Sequence, residues 1–411
     1  MEIKSIKFCR KKRITTTSLF FLAYGLFLFL VLTSTTFYFQ YIMGAIYQIG
    51  ISIAMALLIF REFFYWRYNC KNFKGIIICL ILMLLVYVAD ASNRNIIMVT
   101  ILFIYCARNI EFEKIASFSA KLSTFFLVFV ILSSFAGVIQ NYSTFSGGRA
   151  RNYIGFLYAL FPSTILCNIT MLRIYLKKEK IAWTELAVLS VANFWIYYQT
   201  KSRLSYGISL ATIALAVALK LLPKVFENKK WFRNVLASAP GWSALLSITL
   251  TAFYSAENTF LVLIDLLLDG RISMAKNAMK EYGISLFGTK FSMIGNGLDA
   301  FGNNLSKVYL TYSYIDNLYV QLILRYGLIF FLLFICLFMY VSYRAVKYDV
   351  KGYLSIIFAL LALQGMIQDS FLNIAYNTFI FLFGSILINE VKKYSKQSIA
   401  PECEHKENNM N

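Results

Sequence analysis

Histidine is almost absent from this sequence: the one copy, His405, sits in the polar tail "PECEHKENNMN". That excludes a Ser-His-Asp triad, an imidazole-based zinc site and a histidine base acting at membrane depth. Charge is scarce as well. Only 15% of residues are charged against 59% hydrophobic, and a mean hydropathy of +0.64 excludes an ordinary soluble domain of 411 residues. Acids are outnumbered two to one, 20 against 40 Lys and Arg, for a net charge of +20. In a soluble chain that surplus would point to nucleic acid, because phosphate neutralisation needs clustered bases; here the placement of the bases argues against nucleic acid as a partner. No small-residue cleavage site follows the basic stretch Lys4 to Arg13 and its apolar run, so the N-terminus reads as a signal-anchor.

Apolar runs, in contrast, recur along nearly the whole chain. A helix needs roughly 20 residues to cross a hydrocarbon core of about 30 Å. About twelve such runs can be read, near 18–36, 40–60, 75–90, 95–107, 115–139, 153–175, 181–199, 204–222, 236–254, 317–342, 352–369 and 374–390. The run at 95–107 is short, and three readings stay open: it tilts little, extends into Ser92–Asn95, or pairs with 75–90 as a helical hairpin. Assigning loops alternately to two sides collects 28 of the 40 basic residues on one face, from Lys4 to Arg13 at one end of the chain to Lys392 to Lys406 at the other. The positive-inside rule makes that face cytoplasmic, and an even number of spans puts both termini there. All seven cysteines (Cys9, Cys70, Cys79, Cys106, Cys167, Cys336 and Cys403) then fall in spans or on that face, which leaves no extracytoplasmic disulfide. The expectation is an all-α polytopic integral membrane protein, residues 1–411 forming one transmembrane domain.

The outer loops are short except for Gln140 to Asn152 and the segment 255–316 between spans 9 and 10, a length at which loops are commonly functional. Within the second, "NTFLVLIDLLLDG" is apolar enough to lie on the membrane surface. "RISMAKNAMKEY" puts Ile272, Ala275, Met279 and Tyr282 at helical spacing opposite Lys276 and Lys280. The segment therefore reads as two amphipathic, interfacial helices and a glycine-rich shaped loop, a lid over the outer end of the bundle. A carrier built of two six-span halves would have its longest connection in the cytoplasm after the sixth span, and this chain does not.

Basic residues on the outer face work against insertion in this orientation, so their retention asks for a reason. Lysines such as Lys290 and Lys307 read as solvated loop charge. Arginines suit an anionic ligand, because the guanidinium fork matches phosphate oxygens and keeps its charge. Arg149 and Arg151 lie in "FSGGRARNYIGF", Arg203 in "YQTKSRLSYG", and Arg271 follows the Asp269-Gly270 turn. Two readings stay open: at least two of these four arginines meet at one polyanionic headgroup, or they are scattered structural pairs. Among the outer acids Asp316 stands out, opening "YSYIDNLYVQLILRYGL" beside Asn317 and Tyr319. It reads either as a partly desolvated proton acceptor or as the N-cap of the helix that follows, with Asn317 and Tyr319 merely lining the interface. Arg325, a turn or two below, faces the bundle interior and is a candidate partner for Asp316. Asp90 is placed to pair with Arg94.

A polytopic chain of about twelve spans, with outer arginines and a long outer loop three quarters of the way along, resembles the Wzy-type polysaccharide polymerases of the O-antigen ligase-like superfamily. The local matches are "TKSRLS", "LDGRISMAKNAMKEYGISLFG" and "YIDNLYVQLILRYGL". Ligases of that superfamily use an outer-loop histidine before the corresponding span. Here Asp316-Asn317 stands instead, which favours polymerase over ligase. The resemblance implies inverting glycosyl transfer at the outer face of a bacterial cytoplasmic membrane, with no metal or other cofactor. Donor and acceptor would both be glycans on undecaprenyl pyrophosphate, and flippase and chain-length regulator proteins would be partners beside membrane lipid. Asp316 would be the base for the acceptor hydroxyl, and Arg149, Arg151, Arg203 and Arg271 the pyrophosphate clamps. Asn317, Tyr319 and Arg325 would line the substrate. The rival readings are a flippase or other transporter of the same lipid-linked oligosaccharide, and a polysaccharide ligase. Richness in Ile, Lys, Asn, Phe and Tyr suggests an AT-rich Gram-positive host making capsule or exopolysaccharide.

Overall fold

A run of Leu, Ile, Phe and Val in a medium without water has to satisfy its backbone internally, and helices do so within one segment. The computed structural model describes residues 2–66, 73–89, 94–146, 149–223, 230–309, 312–349 and 351–387, and these are mostly helical. In chain order the principal helices are α1 Glu2–Thr33, α2 Ala45–Trp66, α3 Phe73–Ala89, α4 Arg94–Ala107 and α5 Phe112–Phe135. A hairpin of β1 Ser143–Ser146 and β2 Arg149–Asn152 follows, then α6 Leu160–Lys177, α7 Trp183–Thr200, α8 Arg203–Leu221 and α9 Lys230–Phe253. The last group is α10 Thr259–Leu267, α11 Arg271–Tyr282, α12 Gly327–Tyr348 and α13 Tyr353–Gly365. Among the described residues six helices are long and apolar enough to cross a membrane. Their outward side chains include Leu22, Phe63, Phe125 and Leu245, each more than 60% exposed. So much exposed apolar surface fits a chain embedded in lipid.

Two expected spans are broken. The run at 352–369 stays α-helical only to Gly365, and the run at 374–390 becomes a 3-10 helix, Thr378–Leu387. Between them residues 366–377 are irregular apart from a 3-10 turn at Ser370–Leu372, yet Phe371, Ile374, Ala375 and Asn377 are buried. The 3-10 helix runs through the middle of the bundle. Phe381 meets Phe20 and Tyr24, Phe383 stacks on Phe334, and a Cβ on Gly384 would lie 2.3 Å from the Ile104 carbonyl of α4. Such a segment has protein on all sides, so irregular backbone beside it is shielded from lipid, the condition under which non-helical backbone is tolerated at membrane depth.

The span expected at 317–342 is also irregular at its start. A short turn Leu318–Gln321 runs into a π-helical stretch Leu322–Tyr326 before α12. Asn317 is the N-cap: its side-chain oxygen accepts from the backbone N–H groups of Tyr319 and Val320. Its amide nitrogen donates to Ser247 of α9 at 2.7 Å. Asn317→Ala should lower stability by about 2 kcal/mol, the loss of a cap plus a stranded buried hydroxyl. Thermal melting in detergent would register this, and an unchanged melting point would refute the capping role.

Helices occupy both segments expected within 255–316. α10 exposes Phe260, Leu263, Leu266 and Leu267. α11 buries Ile272, Ala275 and Ala278, with Met279 and Tyr282 partly buried, on the face the spacing indicates. A small core of Ala275, Ala278, Ile315, Val320 and Leu324 seats α11 on the segment that carries Asp316. The glycine-rich loop beyond α11 then passes against the π-helical stretch, where Thr289 N–H donates to the Leu324 carbonyl at 2.7 Å. Gly288 and Gly327 make that approach possible: both have positive φ, and a Cβ on either would fall within 2.3 Å of a backbone oxygen.

Candidate functional site

The broken segment 366–377, the segment 312–316 and the loop around Tyr158 enclose a cavity of about 580 Å³ at the end of the bundle that bears α11. Its polar wall is made by Asp316, Gln321, Arg325, Gln368, Asp369 and Asn373. Its aromatic wall is made by Tyr158, Phe161, Tyr312, Tyr314, Tyr326 and Tyr376. Phe161 and Tyr376 stack with ring centroids 5.8 Å apart.

Local capping aims the one charged side chain that bridges these parts. Asp265, near the end of α10, accepts from the N–H groups of Ile272 and Ser273 and so caps α11 from the preceding helix. Asp269 and Gly270 turn the corner in left-handed conformations, φ +54° and +79°. Arg271 therefore starts α11 in a set direction. Its Nε lies 3.5 Å from the Asp316 carboxylate, and its Nη1 donates to the Ile367 carbonyl. One guanidinium thus ties the α10–α11 hairpin to two walls of the cavity.

Asp316 is released from any capping role, because Asn317 takes the helix N-cap. Its side chain is 19% exposed. Burial pushes its carboxyl up to about 6, against the lowering pull of Arg271 and with the negative charge of Asp369 raising it further. The expected partner Arg325 is not the group that pairs with it; the ion pair comes from Arg271. Arg325 is buried in the π-helical stretch, lines the cavity, and lies 6.0 Å from the centre of the Phe291 ring.

The expected residues divide. Asp316 and Arg325 line the cavity and Arg271 holds its edge. Arg151 in β2 is half-buried, and with Arg271 and Asp316 it sets the electrostatic surroundings of the Tyr158 hydroxyl. Arg203 heads α8, exposed and away from the cavity wall, because Lys201 closes α7 in a left-handed conformation just before it. Asn317 and Tyr319, expected beside the substrate, are instead committed to the fold. Asn317 is the cap, and Tyr319 is fully buried with its hydroxyl donating to the Ala362 carbonyl at 2.7 Å. The side chain of Arg149, the pairing of Asp90 with Arg94, and the tail with His405 lie outside the described residues.

Asp369 is the residue sequence reasoning passed over. It was legible only as one of several outer acids, since nothing in "GMIQDSFLN" marks the break after Gly365. Its carboxylate accepts from the Tyr314 hydroxyl at 2.7 Å and the Gln321 amide at 3.0 Å. Among the described residues no group of three or more His, Cys, Asp or Glu is placed to hold a metal ion. The chain matches no family model, no curated protein and no solved structure.

Proposed function

We propose that this chain is a membrane glycosyltransferase that polymerises oligosaccharide repeat units carried on undecaprenyl pyrophosphate. It would cross the bacterial cytoplasmic membrane twelve times with both termini inside, and residues 255–316 would cover the site from outside. One observation carries the reading: a carboxyl group that burial pushes up to about 6 sits on the wall of a polar and aromatic cavity, ion-paired to an arginine at the corner of the α10–α11 hairpin. A base, a fixed cation and a sugar-sized space are the parts an inverting transfer needs.

In that reaction the acceptor hydroxyl oxygen forms a bond to the anomeric carbon of the donor as its proton passes to Asp316. The bond from that carbon to the pyrophosphate oxygen breaks, and its electron pair leaves with the lipid-linked pyrophosphate. Arg271, with Arg151 near it, would meet the charge that develops there, the kind of preorganised stabilisation that usually contributes most to such a barrier. A phosphate that engages Arg271 competes with Asp316 for it, so arrival of the donor would free the base.

Purified protein in proteoliposomes should convert lipid-linked single repeat units into a ladder of longer chains and release undecaprenyl pyrophosphate, as followed by mass spectrometry. Transfer of intact single units from one leaflet to the other without any ladder would replace this reading with a flippase.

A further inference from the structure

We infer that Asp369 is a positioning residue of this site: it acts on Asp316 through its charge, so that one carboxylate of the cavity takes the proton and the other governs when. The geometry carries this. Both carboxylates line the same cavity as Tyr314, whose hydroxyl donates to Asp369 and is under the influence of both charges. The Tyr314 hydroxyl and the Gln321 amide hold Asp369 in place on the wall by two neutral hydrogen bonds, which fix it without cancelling its charge. Arg271 ties the two segments together, pairing with Asp316 and donating to Ile367, two residues before Asp369. The separation of the carboxylates is therefore set by the fold.

Among the described residues the titratable and charged groups facing Asp316 are few. From α11 comes Arg271, from the loop before α6 Tyr158, from its own segment Tyr312 and Tyr314, from the broken segment Asp369, and from the π-helical stretch Arg325. The tyrosines carry no charge near neutrality, since burial raises the Tyr312 and Tyr314 hydroxyls above their ordinary range. Asp369 is thus the negative charge that favours protonation of Asp316, opposing Arg271. Had Asp369 been a neutral residue, Asp316 would give up its proton at lower pH and would be a weaker base. The break after Gly365 gains a purpose: a straight helix would carry residue 369 a full turn onward, and irregular backbone brings it to the wall.

The inference rests on the proposed function for what the proton is used for, but the coupling can be read without turnover. In lipid nanodiscs, infrared difference spectroscopy would follow the carboxylic C=O band of Asp316 against pH, identified by its loss in Asp316→Asn. Asp369→Asn keeps an oxygen that can accept from Tyr314 and Gln321 and removes only the charge. It should lower the midpoint of that band by about one pH unit, and Asp369→Ser should lower it in the same direction. Asp369→Glu should restore it. A midpoint unchanged in Asp369→Asn, or an Asp369→Glu protein that behaves like the Asn variant, overturns the inference. If the midpoint moves as expected but no variant or parent protein makes polymer, the coupling stands and the proposed function falls.

Discussion

Asp316→Asn is expected to slow chain extension by about 10²- to 10⁴-fold, the usual contribution of a positioned general base. Asn fills the same space and can still accept from Arg271, so the variant should fold and bind lipid-linked substrate. What it cannot do is take the acceptor hydroxyl proton. The parent protein supplies the companion expectation. With the Asp316 carboxyl pushed up to about 6, its base form is lost as pH falls through that value, so the initial rate should rise from pH 5 to pH 7 with a midpoint near 6. Rates of consumption of lipid-linked single units, measured across that range, test both. A flat profile, or an Asn variant of undiminished rate, would remove Asp316 from the chemistry.

Arg271→Ala should have an effect nearly as large, about 10²- to 10³-fold, because it removes a cation held ready where the leaving pyrophosphate gathers charge. Arg271→Lys should restore little. An ammonium cannot reproduce a fork that pairs with Asp316 and donates to the Ile367 carbonyl at once. The pH profile separates this role from simple loss of structure. Arg271 lowers the pKa of Asp316, so its removal should move the acid limb to higher pH, the opposite direction from Asp369→Asn. Arg203→Ala, by contrast, should change the rate little, since that side chain is exposed and away from the cavity wall. Full-length polymer from the Arg271→Ala protein at normal abundance would be incompatible with the clamp.

The chain's hydropathy is enough to establish that it is mostly helical with several apolar helices long enough to span a membrane, because backbone polar groups in lipid have few other solutions. The 3.6-residue period of Ile272, Ala275, Met279 and Tyr282 is likewise a local signal, and α11 follows it. Arg271 was legible as a candidate for the same reason: a glycine turn precedes it and an amphipathic helix follows. Asn317 shows where such reading runs short. Asp316 and Asn317 are both good helix caps, and nothing local says which is used. Ser247, seventy residues earlier in the chain, makes the difference by engaging Asn317, and so leaves Asp316 for the cavity.

The breaks in the late spans were illegible for a related reason. Residues 378–387 are as apolar as any helix in the chain, and their departure from α-helical form depends on being wrapped by α1, α4 and α12 rather than by lipid. Composition and period settle that this is a membrane-embedded bundle of helices with an amphipathic insertion, since hydration and helix geometry act residue by residue. Packing between distant segments settles which polar side chains are spent on the fold and which face the cavity. Arg271, Asp316 and Asp369 become one site because the α10–α11 corner, the cap at Asn317 and the break after Gly365 are held in mutual contact. No single stretch of sequence carries that information.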